Sequence, residues 1–192
     1  MTFRILIRRA ISLLSGQVNR VISIIKILYF RTACPEIELP ICTSIKAGTI
    51  FSATDGGVIT VGKNVSFDRH SQVIARGGQI TIGDNAHFGA GSIIVSNLKI
   101  QISCDTLVAE YVVIRDQDHS LLSRPIKNAG FNTSAILIGD DCWLGAKVTV
   151  LRGSTIGNGA VIGAHSLVRG NVPPNTLAVG CPAKVIRKLV AA

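Results

Sequence analysis

The chain has 192 residues, 47% of them hydrophobic but only 5% aromatic, with 19 glycines and a net charge of +9. That length suits one ordinary domain with a core of Ile, Val, Leu and Ala, and the basic balance suits an anionic partner such as acidic lipid or a phosphorylated small molecule. Basic and aromatic residues are not interleaved, which excludes a nucleic-acid stacking groove.

Residues 1–35 form a region of their own. They hold six positive charges (Arg4, Arg8, Arg9, Arg20, Lys26 and Arg31), and the first acid is Glu36. Apolar residues recur at helical spacing at Ile11, Leu14, Val18, Val21, Ile22, Ile25 and Leu28. The pattern predicts an amphipathic helical arm with a break near Ser15–Gly16. No apolar run approaches the ~20 residues needed to span a bilayer, and no small-residue cleavage pattern marks a secretory signal. Two roles stay open and are compatible: packing on the domain or on neighbouring subunits, and anchoring at the cytoplasmic face of an anionic membrane.

From residue 61 an aliphatic or Phe returns every sixth position. Val61, Phe67 and Val73 begin the series, followed by Ile82, Phe88 and Ile94, then Ile102, Val108 and Ile114. Beyond a break come Ile138, Leu144, Val150, Ile156, Ile162 and Val168. Glycine often follows the aliphatic, and the fifth position is mostly small or β-branched. Short insertions follow residues 78 and 99, and a longer one covers 120–137. A period of six predicts a solenoid in which three hexads make one triangular coil. Five such coils are expected, with the aliphatic inside and glycine easing the corner backbone.

The five cysteines (Cys34, Cys42, Cys104, Cys142 and Cys181) are dispersed and form no CxxC. They read as small buried thiols in a reduced, cytosolic protein rather than as a disulfide framework or a zinc site.

The segment "IGDDCWLGAKVTVLRGSTIGNGAVIGAHSLVRGNVPPNTLAVGCPAKVIRK" resembles the hexapeptide-repeat acetyltransferases. It is similar to the branch with galactoside, maltose and nodulation-factor enzymes and the O-antigen and capsule O-acetyltransferases. The resemblance covers roughly residues 58–188. It implies an all-β solenoid, a left-handed parallel β-helix over residues 36–192, assembled as a homotrimer with active sites between subunits. It also implies acetyl-CoA as co-substrate, no metal, and a saccharide acceptor at a hydroxyl; the basic, apolar N-terminus favours a lipid-linked acceptor at the membrane.

His119, just before the projecting loop 120–137, matches the family's catalytic histidine. A histidine titrating near working pH can take a proton from an attacking hydroxyl and return it to a leaving thiolate. Asp116 and Asp118 stand beside it as candidates to orient the ring, and the sequence does not choose between them or a backbone carbonyl. Trp143 matches the family Trp and walls the donor or acceptor cleft. Gly145 and Ala146 match the backbone beside the thioester, where an amide N–H stabilises an oxyanion. Ala146 stands where the galactoside enzymes have serine. Gly163, Ala164 and Ser166 match the edge along which the pantetheine arm lies. Arg169, Lys184 and Arg187 are candidates for the coenzyme A phosphates. On the acceptor side, Asn97 replaces an acid and Gly89 another sugar contact, so galactoside specificity does not carry over.

Other functions remain as alternatives. A sugar-amine N-acetyltransferase would share donor and base, and a non-catalytic β-helix scaffold would share the fold alone. A γ-type carbonic anhydrase needs a histidine five residues beyond His119, where this chain has Arg124.

Overall fold

The structure, a computed structural model, describes residues 3–189. Side chains are described from Gly16 onward, so those of Arg4, Arg8, Arg9, Ile11 and Leu14 lie outside the described residues.

The arm is one helix, α1 (Phe3–Ala33), of 31 residues. It continues through Ser15–Gly16, contrary to the expected break. Nothing crowds Gly16, and a glycine inside a helix costs about 1 kcal/mol of helix propensity relative to alanine. The inner face of α1 is tied to the first coil. Ser23 and Ile27 are buried, and the Ser23 hydroxyl accepts the Ile45 amide proton at 2.9 Å. Phe30 meets Phe51 edge-on at 5.7 Å.

Beyond the helix the backbone winds through three parallel faces. Face A has seven strands, from Ile37–Glu38 to Asn171–Val172, and face C has six, from Ile50–Thr54 to Leu167–Val168. Face B runs from Ser44–Ile45 to Thr176–Gly180 and gains an antiparallel eighth strand, Ala183–Lys188. One strand per turn on face C gives six full turns of a left-handed β-helix, an exception to the usual right-handed crossover.

The hexad register is the core register. Val61, Ile82, Ile102, Ile138, Ile156 and Val172 stack in one column on face A. The insertions after residues 78 and 99 lengthen face A to four-residue strands, Gln79–Ile82 and Lys99–Ile102. They add a second fully buried column of Ile59, Ile80, Ile100 and Ile136.

Three expectations need correction. The solenoid has a turn before Val61, in which Leu39, Ile45 and Phe51 are buried six residues apart. The extra length between Phe51 and Val61 shifts the phase and hides this turn from the repeat. The core is not purely aliphatic either. Phe67 and Phe88 stack at 4.9 Å, and Phe51 packs edge-on to Phe67 at 5.0 Å. In-register neighbouring strands lie about 4.8 Å apart, so two rings in one column must stack. Finally, the glycine after the aliphatic does not serve corner dihedrals. The left-handed residue lies two positions later, at Asn64, Asn85, Asp105 and Asp141, with φ between 53° and 59°; Asn and Asp tolerate this region. The glycine is there because coils touch: a Cβ on Gly83 would sit 2.6 Å from the Cys104 nitrogen.

The cysteines divide by environment. Cys142 is buried, whereas Cys42 and Cys181 are exposed, so the expectation of buried thiols holds for only part of the set. Burial pushes the Cys142 thiol up from its ordinary value, and neighbouring Asp141 adds to the rise. The neutral thiol is thus favoured in the fold. Its stabilisation is full below the ordinary thiol range and is lost as pH climbs through the raised value. Iodoacetamide at neutral pH is expected to modify Cys42 and Cys181 in the native protein and Cys142 only after denaturation. Peptide mass spectrometry reads this, and native labelling of Cys142 at the Cys181 rate contradicts it.

Candidate active site at two edges of the prism

The projecting loop is an ordered hairpin. Gln117–His119 leaves the corner between faces C and A and pairs antiparallel with Phe131–Thr133. A turn of 3-10 helix, Ile126–Asn128, lies at its far end. The Ser120 amide donates to the Gly130 carbonyl at 2.9 Å, so His119 sits at the end of a paired strand rather than in slack chain. Its ring lies 4.6 Å from Phe131, tilted by 37°. The ring is exposed and, among the described residues, makes no hydrogen bond. Phe131 limits where the imidazole can swing and leaves its nitrogens available.

Neither acid orients the ring. Asp116 is completely buried and faces the turn one coil below. Its carboxylate accepts the Ser96 hydroxyl at 2.6 Å and the amides of Asn97, Leu98 and Lys99 at 2.8, 2.9 and 2.8 Å. With both oxygens committed there, Asp116 is a clamp on residues 96–99. Asp118 instead receives the Arg152 Nε at 2.8 Å. That pair is solvent-exposed and of little energetic weight.

Asn97 lies on the clamped turn. Its Oδ1, like the Oε1 of Gln117, is buried without a hydrogen-bond partner, which costs on the order of 1–3 kcal/mol for each such group. Gly89 belongs to stacking: a Cβ there would meet the Glu110 nitrogen at 2.6 Å.

The other candidates occupy different ground. Trp143 is half exposed on the outer side of face B, in register between Leu107 and Val161. Gly145, Ala146, Gly163 and Ala164 line the corner between faces B and C. The Gly145 amide is already bound to the Ile162 carbonyl at 2.8 Å, so it is not an oxyanion donor. Among the described residues the Ala146 amide has no backbone acceptor. Gly145 is required for contact, since a Cβ would lie 2.7 Å from the Ala164 nitrogen. Ser166 turns inward; it is 2% exposed and its hydroxyl accepts the Gly180 amide proton at 3.0 Å. It closes the last coil and does not face the edge that the resemblance assigns to a pantetheine arm.

The three basic candidates separate. Lys184 and Arg187 are exposed on Ala183–Lys188, paired with Val179 and Leu177 beside face B. Arg169 follows the last strand of face C and shares a cleft of about 300 Å³ with Asp118, Leu151 and Arg152. It therefore belongs to the His119 edge, away from Lys184 and Arg187. The whole of face C separates the His119 edge from the Ala146 edge, and a single chain does not bring them together. Arg152, Phe131 and Gln117 are neighbours of this site that sequence reading missed. Arg152 occupies a corner position ordinarily left to solvent, and the other two carry no motif.

Two family descriptions match the chain: "Bacterial transferase hexapeptide (six repeats)" over residues 135–170 and "Hexapeptide repeat of succinyl-transferase" over residues 79–96. The chain belongs to the hexapeptide-repeat family. Within it, this hexapeptide-repeat chain is 36% identical over 165 residues to the probable acetyltransferase Rv3034c of Mycobacterium tuberculosis, covering 84% of the chain and 55% of the relative. It is 43% identical over 104 residues to WbbJ of Escherichia coli, which bears the name of a lipopolysaccharide biosynthesis O-acetyl transferase; that match covers 50% of the chain and 53% of the relative. The chain thus spans about half the length of the curated relatives it matches. Among solved structures, galactoside acetyltransferase in complex with coenzyme A is 31% identical with a TM-score of 0.62, over 68% of this chain and 65% of that one.

Proposed function

We propose that the chain is an acetyl-CoA-dependent O-acetyltransferase acting on a saccharide hydroxyl, with His119 as general base. The observation that carries this reading is His119 itself: an exposed imidazole, fixed by a hairpin and Phe131, with no internal hydrogen bond to occupy it. Its nitrogen removes the acceptor hydroxyl proton as oxygen attacks the thioester carbonyl. The Ala146 amide stabilises the oxyanion. As the carbon–sulfur bond breaks, the imidazolium returns its proton to the leaving thiolate. The saccharide class is supported by the names of the relatives and by the two orphan amide oxygens, which suit hydroxyl donors.

The separation of the two edges supports a trimer. Three prisms around a common axis set the His119 edge of one against the Ala146 edge of the next, and a lone chain has half of each site. The donor then lies along the second edge. Ala146, Gly163 and Ala164 leave room for an extended arm, and Lys184 and Arg187 stand nearby for its phosphates. We further propose that the acceptor is lipid-linked and that α1 holds the protein at the cytoplasmic membrane surface. Among the described residues no helix is long and apolar enough to cross a membrane. However, the outer side of α1 exposes Val18, Val21, Ile22, Ile25, Leu28 and Tyr29.

Calorimetric titration with acetyl-CoA tests the donor half without knowledge of the acceptor. The native protein is expected to bind in the micromolar to submillimolar range, and Lys184→Ala/Arg187→Ala to weaken binding about tenfold or more. No heat from the native protein rules out the enzymatic reading, and unchanged affinity in the double variant removes those two residues from the donor site.

A further inference from the structure

We infer that the groove between α1 and the first coil is a binding site for a phosphate group, supplied by the headgroup of an anionic membrane lipid. This rests on reading α1 as a membrane-surface arm, but the site has its own geometry. The groove encloses about 490 Å³ between the helix and the start of the solenoid, a size ordinary for a small-molecule site. Asn19 and Arg20 line it from the helix, and Thr43, Ser44, Lys46 and Asn64 from the coils.

Three features give the groove its chemistry. None of its lining residues is acidic. Arg20 is exposed and, among the described residues, pairs with no carboxylate, while Lys46 adds a cation already shared with Asp68. Thr43 is 2% exposed, yet its Oγ1 has no hydrogen-bond partner. A buried hydroxyl left unpaired and a guanidinium without a carboxylate partner, both lining one groove, suit a ligand rich in acceptors and negative charge. Asn19, Ser44 and Asn64 add neutral donors of the kind phosphate oxygens accept.

Position selects the source. An interfacial helix lays its apolar side among the acyl chains, about 5–10 Å into the boundary. A helix with side chains is roughly 10–12 Å across, so its opposite side lies near the headgroup level. In α1 the apolar stripe through Val18, Ile22, Ile25 and Tyr29 points away from the solenoid, while Ser23 and Ile27 point into it. The groove opens along that inner side, where headgroup phosphates of a bilayer under the helix would lie.

The test uses the full chain and vesicles of phosphatidylcholine, with and without phosphatidylglycerol, in co-sedimentation. Arg20→Gln and Thr43→Val remove groove groups; Lys26→Gln removes an equal charge from the same helix outside it. Calorimetry with glycerol 3-phosphate, without vesicles, forms the second arm. A diffuse electrostatic attraction weights every basic residue about equally. The groove site instead predicts that Arg20→Gln weakens binding to anionic vesicles about tenfold more than Lys26→Gln, and that Thr43→Val weakens it with no change of charge. Equal losses for Arg20→Gln and Lys26→Gln with Thr43→Val silent overturn the site and leave only a charged helix. Binding of glycerol 3-phosphate that Thr43→Val abolishes, without vesicle binding, upholds the phosphate site, assigns it a soluble ligand and refutes the membrane arm. No binding in either arm overturns both. Acetyl-CoA affinity is measured alongside, so failure here is not confused with failure of the enzymatic reading.

Discussion

His119→Ala is expected to lower acetyl transfer about 10²–10⁴-fold, the usual contribution of a positioned general base, with acetyl-CoA affinity unchanged. The two halves of this expectation follow from geometry. His119 ends a hairpin strand at the corner of faces C and A, and nothing in the core depends on its side chain, which is exposed and without hydrogen bonds. The donor candidates Ala146, Lys184 and Arg187 lie beyond face C or beside face B. Melting temperature and donor binding should therefore match the native protein while turnover collapses.

The proposed sharing of sites between subunits adds a second readout. A chain with His119→Ala lacks the base edge, and a chain with Ala146→Trp blocks the donor edge. Each is expected to be inactive alone. After denaturation and co-refolding, the proposed trimer is expected to regain activity on mixing, because some interfaces then combine two intact edges. Assay against a panel of saccharides, with mild alkaline hydrolysis of the product to identify an ester, reads both effects. Full activity in His119→Ala overturns the base assignment, and the absence of recovery on mixing argues for sites within single chains.

The repeat made the fold legible because each hexad does the same physical job, turning one large apolar residue inward, often with a near-contact glycine after it. Ile138 through Val168 keep that phase without interruption, and there the sequence was read correctly almost to the residue. The turn containing Leu39, Ile45 and Phe51 was missed because a few extra corner residues shift the phase while leaving the stack intact. His119 stood out for the opposite reason. It breaks the pattern, and a break in a stack that otherwise buries every inward residue must be tolerated at the surface.

What remained illegible were the partners of polar side chains. Asp116 sits at a bend between the strand Val113–Arg115 and Gln117–His119, so strand alternation does not say that it turns inward while Asp118 stays exposed. Proximity to His119 in sequence suggested an orienting role for either acid. The pairing that matters for Asp116 reaches back to residues 96–99, across a separation that period-six reading treats only as another coil. Ser166 misled in the same way, since its position matched a family edge while its hydroxyl faces Gly180. Solenoid registers fix which residue is inward; they do not say which buried oxygen meets which amide.

That distinction sets up the last expectation. Asp116→Ala is expected to destabilise the fold by about 3 kcal/mol or more, because hydrogen bonds to a charged group are worth roughly 1.5–3 kcal/mol each and four donors lose one acceptor together. For a domain of this size that is a fall of about 6–12 °C in Tm. Asp116→Asn keeps one carbonyl oxygen but turns the other acceptor into a donor facing amide protons, so it should recover only part of the loss. Ser96→Ala removes a single donor, leaves the three amide bonds in place, and should cost the least. The clamp also ties the turn carrying Asn97 to the bend that leads into Gln117–His119, so its removal frees both segments at once. Hydrogen exchange should therefore accelerate at Asn97, Leu98 and Lys99 and across the Phe131–Thr133 pairing, while acetyl-CoA still binds. Differential scanning calorimetry and exchange mass spectrometry distinguish this from a generally loosened protein: uniform acceleration across faces A and B, or a Tm unchanged in Asp116→Ala, would show that the carboxylate does not hold the corner from which His119 projects.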